Sequence, residues 1–422
     1  MQYLIQSALV IDPNSPFHLQ KKDILVENGV IKSISEKIIP EAHTHTFSSE
    51  NLCVNIGLMD LRCCVPDLGY EHKETLETAR KAAMAGGFTE ICVLPNMQPF
   101  LDSKDSLIYL QKDNTTQLVK TYPIAALTLK TKGEDLSEMI DLHKVGAVAF
   151  SDGLQTIHNT DILLKSLLYL QPLEALLIQR PEEPLLTRFG QMNEGIVATH
   201  LGFRGLPSLA EVLVIQRDLE ILRYTGGKIH FTCISSERSV ELIRRAKQEG
   251  LAVTCDVAAV NLYFTEENLN DFNTHFKLNP PLRTEKDRQA LWQGIVDDTI
   301  DAIVSDHQPQ DTENKDLEFD LAAFGAIGLQ TALLAANTKR ENIALAKVLE
   351  KFCQNPRKIL QKKLPCIKEG QIANLCVWDS QQETIFTQTQ ILSKSKNSPF
   401  IGEKMKGKVL AVFNAAQSEI FA

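Results

Sequence analysis

The stretch from residue 55 to 102, NIGLMDLRCCVPDLGYEHKETLETARKAAMAGGFTEICVLPNMQPFLD, restricts the possible folds more than any other part of the chain. Residues 54–61 are apolar enough for a strand buried on both faces, and residues 71–84 carry the apolar spacing of a helix. Gly86 and Gly87 end that helix, because successive glycines free the backbone for a tight reversal. Residues 89–94 then form a second apolar strand. A strand–helix–strand unit with doubly buried strands belongs to a parallel α/β architecture. Functional side chains of such folds sit where a strand ends and a loop begins. The loops at 62–69 and 95–102 are therefore where chemistry is expected.

The rest of the chain extends that pattern. Strand-like runs are predicted at 117–125, 147–150, 175–178, 196–199, 228–232, 252–256 and 301–304. Helices are predicted at 134–143, 208–224, 236–249, 285–296, 324–336 and 343–351. The alternation approaches the eightfold repeat of a (β/α)8 barrel. The two ends differ from this middle. Residues 3–11, 24–27 and 30–34 read as strands around an Asn28-Gly29 hairpin turn, and 376–378 and 407–413 as further strands. The expected fold is α/β: a (β/α)8 TIM-type barrel over 55–362, with a small β domain built from 1–54 and 363–422. The polar, aperiodic run 308–318 is expected to be a mobile loop.

Composition narrows the function. A net charge of −9 over 422 residues argues against a nucleic-acid-binding or anionic-membrane surface. No apolar run approaches the roughly 20 residues needed to span a bilayer. The N-terminal residues lack a charged segment followed by a long apolar one, so no leader is expected. The nine cysteines are scattered and form no CxxC pair. That pattern fits reduced thiols of a cytoplasmic protein better than a disulfide framework or a structural zinc module.

The segments GLMD with PDLGYEHKET, GGFTEICVLPN, SVELIRRAK, LNPPLR, SDH and AAFGAIGLQTAL, together with the closing SKSKNSPFIGEKMKGKVLAVF, resemble the dihydroorotases of the cyclic amidohydrolase group. The resemblance covers essentially the whole chain. It implies hydrolysis of a cyclic amide by zinc held in imidazoles and carboxylates, with an aspartate at the end of the last barrel strand. In that family the first strand ends in Asp-x-His-x-His, whereas this chain reads Asp60-Leu61-Arg62-Cys63-Cys64. Arg180 stands at the histidine of His-x-Glu-Asp, and Cys233 at that of His-x-Ser. Asp152 keeps the carboxylate of the FSD-G motif, and Asp306 keeps the catalytic aspartate. Among positions that hold substrate in the family, Asn96, Asn279, Phe324 and Gly325 are kept. Pro66 replaces the carboxylate-binding arginine, and Gln310 replaces a further histidine.

The ligand positions Arg62, Cys64, Asp152, Arg180, Cys233 and Asp306 therefore make a degenerate metal site. A guanidinium has no lone pair for a metal, and an unpaired buried charge is strongly destabilising. The expectation is no cofactor, with Arg62 and Arg180 forming ion pairs with Asp152 and Asp306. The alternative is a zinc site rebuilt from Cys63, Cys64, Cys233 and the aspartates. Three functions stay open. The resemblance includes non-catalytic homo-oligomeric members that partner aspartate transcarbamoylase in pyrimidine biosynthesis. An active dihydroorotase, or an amidohydrolase of a related ureide, is the second reading. A sensor that binds a pyrimidine intermediate through Asn96 and Asn279 without turnover is the third. The remaining features have plainer readings: His43-Thr44-His45 as a solvated loop, His72 as a helix-start residue, and His307 as a residue that orients its loop.

Overall fold

The computed structural model describes residues 1–269 and 271–421. Eight parallel strands form the barrel wall: Leu58–Cys63, Phe88–Val93, Lys120–Ala126, Ala149–Ser151, Leu177–Gln179, Ile229–Phe231, Val253–Ala258 and Ala302–Val304. They are hydrogen-bonded in chain order, which requires a crossover between each pair. The first two are buried along their whole length, as strands covered on both faces must be. A second sheet, mostly antiparallel, joins the two ends of the chain. Its N-terminal strands Gln2–Val10, Lys21–Glu27, Val30–Ser35 and Leu52–Ile56 meet the C-terminal ones where Leu52–Ile56 pairs with Asn374–Ile385. Asn28 and Gly29 both take positive φ, as a two-residue hairpin with this twist demands.

The run expected as one strand over 54–61 is two. Leu52–Ile56 belongs to the β sheet and Leu58–Cys63 to the barrel, so the chain passes from one to the other at Gly57. A side chain there would collide with Thr89. The first barrel helix is Leu76–Ala85, starting later than its apolar pattern suggested. Thr75 caps it: its hydroxyl accepts the Thr78 N–H at 3.2 Å, and the Thr78 hydroxyl accepts the Thr75 N–H at 3.1 Å. Gly86 ends it, where a Cβ would lie 2.0 Å from the Leu329 carbonyl oxygen.

Three further expectations are corrected. Residues 196–199 lie in a helix, Ile196–Leu201, within an excursion between barrel strands five and six. A four-residue apolar run does not distinguish strand from helix. The helix expected over 324–336 is Ala332–Lys339, because Phe324 and Gly325 turn over the barrel mouth and Gly325 has φ 119°. The run 308–318 contains a helical turn, Thr312–Lys315, and buries Lys315 at its end.

Two junctions of the wall are thin: that of strands four and five, which share the pair Phe150 with Leu177, and that of strands eight and one. Among the described residues the latter two share a single bridge, Cys63 with His307, in which the Cys64 N–H donates to the His307 carbonyl at 2.8 Å. The barrel closes at this seam largely through side chains.

Candidate functional site

Strand one carries Arg62 into the barrel mouth, where it is 1 % exposed. Strand eight ends at Val304, and Asp306, two residues beyond it, takes φ 44° and turns its carboxylate back toward strand one. Arg62 Nε donates to Asp306 Oδ1 at 2.7 Å. Gln308 Nε2 donates to the same oxygen at 2.8 Å. Arg62 Nη1 makes a long contact of 3.4 Å with the Gly153 carbonyl, and Nη2 has no partner. Burial opposes the guanidinium charge, but the Asp306 carboxylate beside it holds it, and its pKa is raised.

The second arginine behaves differently. Arg180 Nη2 pairs with Glu182 Oε2 at 2.5 Å, and Nη1 donates to the Leu154 carbonyl at 2.7 Å. Despite burial, Arg180 holds the Glu182 pKa below its usual value. Glu182 also accepts from Asn279 Nδ2 at 3.1 and 3.2 Å.

Asp152 meets neither arginine. Its two oxygens accept the Thr128 N–H at 2.9 Å and the Thr128 hydroxyl at 2.6 Å. The expected network, with both arginines on Asp152 and Asp306, is thus corrected on two counts. Asp152 is satisfied by a neighbouring loop, and Arg180 finds its carboxylate two residues away. Glu182 and Thr128 were missed as partners. The Arg180-Pro181-Glu182-Glu183 run carried the signal for Glu182, but nothing local in the sequence joins Thr128 to Asp152.

The residues expected to hold substrate are occupied with the protein itself. Asn96 Nδ2 donates to the Asp152 carbonyl at 3.2 Å, and its Oδ1 accepts the Leu154 N–H at 2.8 Å. Gly153 passes so close that a Cβ would strike Asn96 Oδ1. Asn279 is spent on Glu182. The Phe324 ring lies 4.9 Å from the buried Lys277 ammonium, and the Gly325 N–H donates to the Lys277 carbonyl at 3.0 Å. Lys315 Nζ donates to the carbonyls of Ala323 and Gly325 at 2.9 and 3.2 Å, fastening this strap over the mouth. The void beside Arg180, Glu182, Cys233 and Asn279 is about 20 Å³, and that beside Asp306 and Ala326 about 10 Å³. Each has room for about one water molecule.

His307 is buried and anchored rather than free to move protons. Its Nε2 lies 3.3 Å from Glu74 Oε2, and its Nδ1 accepts the Gly328 N–H at 3.2 Å. His72 and His43 are exposed, and His230 sits inside the barrel between Thr254 and Asp256 at 2.8 Å from each.

A catalytic zinc does not fit this donor set. The first ligand position holds a cation that cannot coordinate, and that cation engages the aspartate a hydrolytic water would need. Burial pushes the Cys64 thiol up to about 11 and the Cys233 thiol well above its ordinary value. Among the described residues, no three His, Cys, Asp or Glu side chains are grouped to hold a metal ion. No helix among them is long and apolar enough to cross a membrane.

The family comparisons agree with the fold. A dihydro-orotase-like family model matches residues 52–239, and an amidohydrolase family model matches residues 194–416. A dihydroorotase of Acetivibrio thermocellus is 38% identical over 410 residues, covering 96% of both chains. One from Geobacter metallireducens is 37% identical with the same coverage. The L-hydantoinase (dihydropyrimidinase) of Arthrobacter aurescens superposes with a TM-score of 0.84 at 22% identity, covering 100% of this chain and 97% of its own, a likeness of fold. With a barrel of this order, a β domain built from both ends, and relatives aligned along nearly its whole length, the chain belongs to the dihydroorotase-like branch of the amidohydrolase family.

Proposed function

We propose that this chain is a dihydroorotase-like protein of pyrimidine biosynthesis that does not perform metal-dependent ring hydrolysis and serves instead as a non-catalytic partner, as of aspartate transcarbamoylase. One observation carries the reading: Arg62 stands at the first ligand position and engages Asp306, the aspartate the reaction requires, at 2.7 Å. Oδ1 of this carboxylate is already taken up by the guanidinium and by the Gln308 amide, so it does not face a substrate water. The closed mouth supports the same reading, since its voids admit water but no pyrimidine ring.

A second reading has its own support. The relatives that align over 96% of the chain carry the name dihydroorotase, which favours an active hydrolase of dihydroorotate or a related ureide. The two separate cleanly on purified protein. The non-catalytic reading expects substoichiometric zinc by elemental analysis and no hydrolysis of dihydroorotate with or without added zinc. It also expects co-elution with an aspartate transcarbamoylase of the same source. Stoichiometric metal with chelator-sensitive turnover would establish the hydrolase and end the first reading. A thermal shift with orotate or dihydroorotate, without turnover, would instead mark a sensor.

A further inference from the structure

Six of the eight junctions in the barrel wall are backbone ladders of three or more residue pairs, strands four and five share one pair, and strands one and eight share one isolated bridge. Between strands one and eight the backbone contributes one bridge, and side chains supply the rest. At the bottom of this seam, Asp60 Oδ1 accepts the Ser305 N–H at 2.8 Å and Oδ2 accepts the Ser305 hydroxyl at 2.6 Å. Above it, Arg62 Nε reaches Asp306 at 2.7 Å. Outside, His307 meets Glu74, which also accepts from Ser393 of the closing segment. Arg62 carries the one permanently charged cation among these stitches and is 1 % exposed, so solvent screens its attraction little.

We propose that Arg62 is the lock of this seam: its pairing with Asp306 holds strand eight against strand one and closes the barrel without any metal ion. The inference rests on the reading above only in placing a guanidinium, not a metal, at the first ligand position. Three features support it independently. The pair spans a junction to which the backbone contributes one isolated bridge. Asp306 leaves the strand in the left-handed region, a conformation unfavourable for a residue with a Cβ unless its surroundings hold it there. Among the described residues, Asp306 is the only carboxylate that pairs with Arg62.

Hydrogen exchange read by mass spectrometry on the full chain tests it. In the wild type, exchange at 58–64 and 302–307 is expected to be unchanged by chelator or by added zinc. In Arg62→Met, exchange there is expected to quicken about 100-fold, as loss of one partner of a buried pair implies, while 120–126 and 177–179 stay protected. Arg62→Lys is expected to fall between, because it keeps the charge and loses the planar fork. Should Arg62→Met not fold, Arg62→Lys, which keeps the charge, gives the same local ranking. Ser305→Ala, which removes only the lower stitch, is expected to loosen the seam less than either. Acceleration spread evenly over all strands, or none at the seam, would overturn the lock while leaving the non-catalytic reading standing. Zinc that protects the seam would overturn both.

Discussion

Arg62 and Arg180 stand at two positions where the family places imidazoles, yet they are held in opposite ways. Arg62 reaches a carboxylate 244 residues away, across the barrel seam. Arg180 takes the carboxylate two residues further along its own loop and is 11 % exposed. Both obey the same constraint, that a buried guanidinium needs an anion within hydrogen-bonding reach. The difference lies in what each anion was otherwise for. Glu182 is a loop residue, so its pairing ties down one corner of the mouth. Asp306 stands where the resemblance places the family's catalytic aspartate, so on the proposed reading its pairing puts a cross-link at that position. One replacement acts within its own loop, and the other acts across the barrel seam.

The largest test of that contrast is to neutralise the two anions separately. Asp306→Asn leaves Arg62 as a buried charge without a counter-ion and is expected to lower stability by about 3–5 kcal/mol in urea unfolding. Glu182→Gln leaves Arg180 with the Leu154 carbonyl and partial solvent, and about 1–2 kcal/mol is expected. Equal losses would erase the distinction. Next in size is Thr128→Val, which strips the hydroxyl from Asp152. A loss of about 1–3 kcal/mol is expected, because a buried carboxylate oxygen is left without its donor. A variant as stable as the wild type would mean that Asp152 draws its support from elsewhere, with an arginine the first candidate.

Much of this was legible in the sequence, for reasons that differ by position. The doubly buried strands 58–63 and 88–93 announce a parallel barrel because burial on both faces leaves a continuous apolar run. The Asn28-Gly29 turn is equally direct, since few dipeptides tolerate two positive φ angles. Arg62, Arg180, Cys64 and Cys233 stand out because a motif supplies the reference. What did not show was pairing. Glu182 lay in plain view beside Arg180, but charge complementarity at a distance drew attention to Asp152 instead. Thr128 belongs to another loop, and only the folded barrel brings it to Asp152. The helix at Ile196–Leu201 was missed because a short apolar run carries no period.

A pH test sharpens the comparison with a third kind of buried cation. Lys315 has only carbonyl partners, and burial, reinforced by the neighbouring Lys277 ammonium, pushes its pKa down from 10.5 to about 7. An arginine in that position would stay charged, whereas this lysine can shed its proton. With a folded pKa below the unfolded one, the folded state binds fewer protons over the window from about 7 to 10.5. The strap over the mouth should therefore tighten as pH rises through that window and loosen as it falls. Limited proteolysis within 308–325 is expected to slow several-fold between about pH 6.5 and 8.5, and Lys315→Met should flatten the trend. A rate that rises with pH in the wild type, after correction for the protease itself, would show that Lys315 is not what fastens the strap.

The smallest effect concerns the thiols at the mouth. Cys64 and Cys233 flank Arg62, and both are buried, as are all the free cysteines except the half-buried Cys366. Burial keeps the two mouth thiols protonated at neutral pH, which suppresses their nucleophilicity as well as access to them. Alkylation of the native chain is expected to modify Cys366 alone on the timescale of minutes. Added zinc should leave that pattern unchanged. In Arg62→Met the mouth loosens, but Cys64 also loses the cation that lowers its pKa, so access and reactivity move in opposite directions. Only a modest gain in Cys64 labelling is expected there. Rapid labelling of Cys64 in the wild type would mean that the mouth opens on its own, and that the Arg62–Asp306 pair closes it less firmly than the Arg180–Glu182 pair closes its corner.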